Sequence, residues 1–293
     1  MKYQWITLNR QNEQKSFSES SYLKRLQVTK TLTLEFPREA TPWEIHQAAL
    51  ATLTRLNIER SQKALFVSGS VAAGLYNVST WKLQNTIRLI TISSTAKKCG
   101  HFGVYKGFGS FATPFPTKVQ RIYRQFPPQA FTEIAGFPTL HIEFLILDFL
   151  CQSDPLEAFT VADALARLRI SGNRFNRKSL TGRFSDFKSD LVALAKEYLP
   201  QKHLKRVLGR IQLLDPFAES AAESVTRVTL LQLGVSTIKS QFPASFSGQT
   251  FFADFYLPDL NIILEVDGNG KYSKAEDITR EKAREAFFLS IRV

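Results

Sequence analysis

The stretch that decides the reading is Phe251 to Gly268, FFADFYLPDLNIILEVDG. Two apolar runs, 251–256 and 262–267, flank Leu257-Pro258-Asp259-Leu260-Asn261, so the segment predicts a hairpin. With the turn centred between Asp259 and Leu260, Asp254 lies directly across from Glu265. Side chains alternate along a strand, which places Phe252, Asp254, Glu265 and Asp267 on one face. Ala253, Phe255, Leu264 and Val266 fall on the other face, which is apolar and belongs to a core. Opposed like charges destabilise a sheet by up to roughly 1 kcal/mol unless a cation neutralises them. Carboxylate oxygens are the ligands that Mg2+ and Mn2+ prefer. Asp254 and Glu265 are therefore candidate metal ligands, with Asp267 assisting. Lys271, close behind Asp267, is a candidate for stabilising the charge that builds on an attacked phosphate. The alternative is that Asp267-Gly268 is a turn and Glu265 a lone surface acid.

Upstream, Ser220-Ala221-Ala222-Glu223 predicts a capping box that opens a helix ended by Gly234. Helices are also expected over about 186–199 and 201–213. Residues 171–185, SGNRFNRKSLTGRFS, read as a basic loop in which Phe175 and Phe184 interleave with Arg174, Arg177, Lys178 and Arg183. These four, with Lys205 and Arg206 on the following basic helix, are candidate nucleic-acid contacts, against a solvated surface as the plainer reading.

Asp154-Pro155-Leu156-Glu157 starts a helix ending near Arg169, and Thr41-Pro42-Trp43-Glu44 starts one running to about Asn57. A small-residue helix is expected at Ser68 to Tyr76. Residues 86–92, 101–107, 119–126 and 139–147 (TLHIEFLIL) are candidate strands. Residues 1–40 give a short helix, Ser18 to Leu26, and a strand, Thr31 to Phe36.

Composition bounds the function. The 293 residues are 44% apolar, enough to build cores. Lys and Arg number 38 against 26 Asp and Glu, a net charge of +12 that points to a polyanionic partner. The charge is uneven: residues 151–214 carry 12 basic and 6 acidic groups, residues 215–293 carry 8 and 11. A basic body beside clustered carboxylates suits a metal enzyme acting on a polyanion. Cys99 and Cys151 are too few for a disulfide framework and read as reduced thiols of a cytoplasmic protein. No run of about 18 apolar residues is present, so no membrane partner is expected.

The segment ADFYLPDLNIILEVDGNGKYS resembles the core of small endonuclease-like domains related to the very-short-patch repair endonucleases, within the PD-(D/E)xK nuclease superfamily. The resemblance matches Asp254 to the strand aspartate, Glu265 to the second carboxylate, Asp267 to the acid before glycine, and Glu223 to a glutamate on the preceding helix, which adds Glu223 to the candidate catalytic residues. The lysine that the superfamily places two positions after the glutamate is replaced by Asp267. The histidine many members carry near Lys271 or Tyr272 is missing. Further upstream, VSGSVAAGLYNVSTW resembles a helix of AbiEi-type antitoxin proteins. FTEIAGFPTLHIEFLILDFL with VADALARL resembles their later segment, through Gly136, Pro138, Asp148 and Ala162 to Ala164.

The expectation is an α/β chain with an α+β N-terminal region and a restriction-endonuclease-like mixed C-terminal sheet flanked by helices. Its parts would be a degraded winged helix over 1–40, an AbiEi-like domain over 41–170, a basic helical linker over 171–214, and an endonuclease-like domain over 215–293, ending before the nuclease fold is complete. A strand at Ile291 to Val293 would pair beside Ile262 to Val266 after a helix at about 276–289. The resemblance implies a Mg2+- or Mn2+-dependent DNA nuclease, or a DNA-binding antitoxin-type regulator, with a cognate toxin, whose nuclease fold is inert.

Overall fold

The computed structural model describes residues 4–7, 23–29, 32–96, 99–101, 106–107, 117–246 and 249–266, and divides the α/β chain into two units, Met1–Asp148 and Phe149–Val293. Strand β1 (Gln4–Thr7) pairs antiparallel with β3 (Leu32–Pro37), which pairs with β2 (Leu23–Thr29). A short β7 (Lys106–Gly107) completes this sheet in the order β1-β3-β2-β7. The expected helix at Ser18 to Leu26 is thus corrected from Leu23 onward: Leu26 and Val28 alternate into the core with Leu34 and Phe36, the period of a strand.

Helix α1 (Pro42–Glu59) begins as its sequence dictates. The Thr41 hydroxyl accepts the Glu44 N–H, and the Glu44 carboxylate accepts the Thr41 N–H, closing the capping box. Strand β4 (Phe66–Ser68) runs straight into helix α2 (Gly69–Leu75). Then come β5 (Thr86–Thr91), β6 (Cys99–His101), β8 (Lys118–Tyr123), β9 (Phe131–Ile134) and β10 (Phe137–Leu140). These form a mixed six-stranded sheet ordered β6-β8-β5-β4-β10-β9, parallel only at β5/β8 and β4/β10. The strand expected at 101–107 therefore contributes its two ends to two different sheets.

The run 139–147 is corrected more fully. Only Leu140 and its predecessors are strand; Ile142–Leu150 is helix α3. A short apolar run has the same pattern in a buried strand and a buried helix. Here it is apolar on every side because the helix is enclosed, with Leu145, Ile146, Leu147 and Leu150 wholly buried.

The second unit packs α4 (Pro155–Ile170), α5 (Arg177–Tyr198), α6 (Gln201–Gln212) and α7 (Ala221–Gln232) with an antiparallel sheet, β11-β12-β13. Its strands are β11 (Lys239–Phe246), β12 (Gln249–Leu257) and β13 (Ile262–Leu264). Gly234, at φ +90°, ends α7 in a Schellman motif: its N–H bonds Leu231 and the next N–H, of Val235, bonds Leu230. The basic loop expected at 171–185 shrinks, because α5 already starts at Arg177. Its core side is fixed by Leu180 and Phe187, seven apart on one helix face. No helix among the described residues is long and apolar enough to cross a membrane. Cys151 is a buried free thiol. The helix at 276–289 and the strand at 291–293 lie outside the described residues.

Candidate carboxylate site

The hairpin forms in the register its turn implies. Phe255 faces Leu264, Tyr256 faces Ile263 and Leu257 faces Ile262. The pairing ends there, and Glu265 and Val266 follow β13 directly. Ala253, Phe255 and Leu257 point into the core and are almost fully buried. Asp254 lies on the other face and is nevertheless buried, at 6% exposure. Its Oδ2 accepts the Val266 N–H at 2.8 Å.

The second half of the site comes from β11. Ser240 pairs with Phe255 and Phe242 with Ala253, so Gln241 falls opposite Asp254. Gln241 and Asp254 thus form a row across β11 and β12. Gln241 is 1% exposed and holds φ at +47°, a left-handed conformation that costs a non-glycine residue about 1–2 kcal/mol. Its Nε2 donates to Glu223 Oε2 at 2.8 Å and to Asp254 Oδ1 at 3.4 Å. The strained backbone therefore aims one amide at two carboxylates. Strain of this kind gathers at functional sites.

Glu223 reaches the row from the first turn of α7. Ser220 Oγ accepts its N–H at 3.1 Å, as a cap should. Its carboxylate does not close the expected box on Ser220; it accepts the Glu219 N–H at 2.9 Å and turns toward Gln241. Burial pushes the Glu223 carboxyl up from its ordinary value, and the charge of Asp254 adds to this against its hydrogen bonds. Arg174 stands beside these acids. It pairs with both oxygens of Glu219, and that bond, reinforced by the charges of Glu219, Glu223 and Asp254, holds the guanidinium protonated.

Asp254 and Glu223 are thereby brought together through Gln241; Glu265 follows β13 without a place in this bridge, and Asp267 and Lys271 lie outside the described residues. The oxygen donors suit a hard cation, since Mg2+ binds through one or two carboxylates and keeps waters and substrate phosphates as its other ligands. Among the described residues no group of three or more His, Cys, Asp or Glu forms a ready metal cage.

The candidate nucleic-acid contacts separate. Lys178, Arg183 and Lys205 are exposed on α5 and α6. Arg177 donates to the Ser240 carbonyl and lies over the Phe217 ring. Arg206 reaches the Cys151 and Gln152 carbonyls at 3.4 and 3.3 Å, and Arg210 the Leu150 carbonyl at 2.8 Å, which caps the C-terminus of α3. Next to the carboxylate row is a buried ion network. Arg227 donates to Asp163 at 2.6 Å and lies 3.9 Å from Asp215, which also accepts the Ser240 hydroxyl.

The first unit has its own buried pair. Ser68 donates to Asp148 at 2.6 Å, and Arg88 reaches the same carboxylate at 3.0 Å. Burial works against the Asp148 charge, but Arg88, Ser68 and Arg124 outweigh it and hold the carboxyl below its usual range. Gly69 makes room: it has φ +63°, and a Cβ there would sit 2.8 Å from Arg88 Cδ.

No family model matches the chain, and no curated protein does. Solved structures give distant likenesses. The chain is similar to JHP933 from Helicobacter pylori, at 16% identity and TM-score 0.38, over 67% of this chain and 94% of that one. It is similar to a putative nucleotidyltransferase from H. pylori at 14% and 0.36, over 64% and 99%. An antigenic nucleotidyltransferase-like protein from Paracoccidioides brasiliensis follows at 13% and 0.28, over 56% and 92%. These TM-scores all lie below 0.5 and assign this chain neither fold nor activity.

Proposed function

We propose that residues 215–293 form an endonuclease-like domain that hydrolyses DNA phosphodiesters with a bound Mg2+ or Mn2+. The reading rests above all on the two buried carboxylates Glu223 and Asp254 bridged by Gln241, with Glu265 following the paired strand β13. Asp254 and Glu265 are assigned as metal ligands. When bound, the cation lowers the pKa of a water and offsets charge on the phosphate. Glu223, whose carboxyl burial pushes up from its ordinary value, is assigned to accept a proton at its carboxylate. Gln241 holds Glu223 and Asp254 at a fixed separation. Asp267 is assigned to assist, and Lys271 to the charge on the phosphate. The exposed Lys178, Arg183 and Lys205 supply backbone contacts to DNA.

A second reading has an observation of its own. Asp254 Oδ2 already accepts the Val266 N–H, and the described residues hold no three-acid cage. That arrangement fits a DNA-binding antitoxin-type regulator, paired with a cognate toxin, whose nuclease fold is inert. Incubating supercoiled plasmid with the full chain and Mg2+ separates the two. The nuclease reading expects nicking that chelation stops and Asp254→Asn abolishes. No nicking with either Mg2+ or Mn2+ selects the regulator.

A further inference from the structure

Phe175 is 81% exposed, the largest exposure of any large apolar side chain among the described residues. It is presented by an ordered turn between α4 and α5. Asn173 Oδ1 accepts the Phe175 N–H at 2.9 Å and the Asn176 N–H at 3.1 Å, and the Asn176 side chain returns bonds to the Asn173 N–H and the Ser171 carbonyl. The ring is held out from a fixed backbone.

Its neighbour is Phe252, edge to face at 5.2 Å. Phe252 stands on β12 two residues before Asp254, hence on the same face of the sheet and roughly 7 Å along the strand. The Arg174 guanidinium lies 5.5 Å over the Phe252 ring and is anchored by Glu219. Two aromatic rings and one immobilised arginine therefore border the carboxylate row.

We propose that Phe175, Phe252 and Arg174 form a stacking platform for an unpaired nucleobase, and that the strand taken by this site is single-stranded DNA or the displaced strand of a junction. The proposal rests on the nuclease reading and names its substrate class. Phosphate recognition alone needs cations, which α5 and α6 already carry, and gives no role to an exposed ring. A paired base has both faces covered by its neighbours, so a ring can stack on it only after it is unstacked. An unpaired base offers its face freely, and stacking on aromatic and arginine planes is the usual way proteins hold such strands. A base seated on the platform would belong to the nucleotide next to a phosphate at Asp254.

The test uses the full chain without divalent metal, with fluorescence anisotropy on a labelled oligothymidine and on a duplex of equal length. The single strand should bind more tightly than the duplex. Phe175→Ala should weaken the single strand by about 5- to 100-fold and the duplex by less than about twofold. Phe175→Trp should keep the stacking and Phe175→Leu should lose it, a contrast that general hydrophobicity does not produce. The side chain is exposed, so far-UV circular dichroism should be unchanged in all three variants. Equal losses on both substrates would overturn the platform. So would no loss on either, which leaves Phe175 to a protein contact. The two readings fail separately. Phe175-dependent strand binding without any cleavage removes the nuclease and keeps the platform. Asp254-dependent nicking with single-strand affinity indifferent to Phe175 does the reverse.

Discussion

Replacing Arg227 by methionine should destabilise the second unit severely. The guanidinium donates to Asp163 and to the Leu213 carbonyl, both at 2.6 Å, with 7% of the side chain exposed and none of the Asp163 side chain. Methionine keeps most of the stem volume and removes the charge. Removing one partner of such a pair strands the other in the core, at a cost of about 3–5 kcal/mol, against 0–1 kcal/mol for a surface pair. For a unit of this size that is a fall of roughly 6–20 °C in melting temperature, read by calorimetry on the whole chain. The deficit should depend on pH. Burial pushes the Asp163 carboxyl up to about 6, against the pull of Arg227 and with Asp215 adding to the rise. A folded pKa above the unfolded value means that this contribution to stability is complete below the unfolded pKa and is lost as pH rises through about 6. Without Arg227 the value rises further, so the variant should suffer most above pH 6 and least near pH 5, where Asp163 holds its proton. Asp163→Asn added to Arg227→Met should recover part of the loss. A deficit under about 1 kcal/mol at all pH values would refute the buried-pair account.

Three further outcomes follow from the same structure. Gly69→Ala should cost about 1–3 kcal/mol, because φ +63° strains alanine and its Cβ would meet Arg88 at 2.8 Å; a wild-type melting temperature would show that Arg88 is not packed against this glycine. Gln241→Leu should cost about 1.5–3 kcal/mol through loss of a hydrogen bond to a charged carboxylate, and a change below about 0.5 kcal/mol in chemical denaturation would remove Gln241 from its bridging role. DNA affinity should fall steeply as salt is raised, because phosphate contacts release counterions; a flat response would reduce the basic surface of α5 and α6 to a solubilising one.

The hairpin was legible because its evidence is local. Pro258 and Asn261 mark the turn, and centring it between Asp259 and Leu260 sets the Phe255–Leu264 register by counting. The capping acids Glu44 and Glu223 were equally visible, although only Glu44 closes its box. Strand β11 was not legible. Pro243 argues against a strand, and it is tolerated because β11 is an edge of the described sheet, where a missing N–H costs nothing. With β11 went Gln241, whose role depends on a left-handed backbone that no glycine or asparagine announces. Helix α3 was misread because enclosure on all sides erases the periodicity that distinguishes helix from strand. Arg206 looked like a free cation in sequence; its engagement with the Cys151 and Gln152 carbonyls is a long-range fact of packing.

Asp254 and Glu265 are assigned to hold a divalent cation, and Mn2+ reads that out, since the electron paramagnetic resonance signal of the free aquo ion is lost on binding. Titrating the full chain should show Mn2+ taken up and displaced by Mg2+. Asp254→Asn and Glu265→Gln should each lose that uptake while keeping the wild-type circular dichroism. Uptake unchanged in both variants, or absent from the wild-type protein, would contradict a metal site on this sheet.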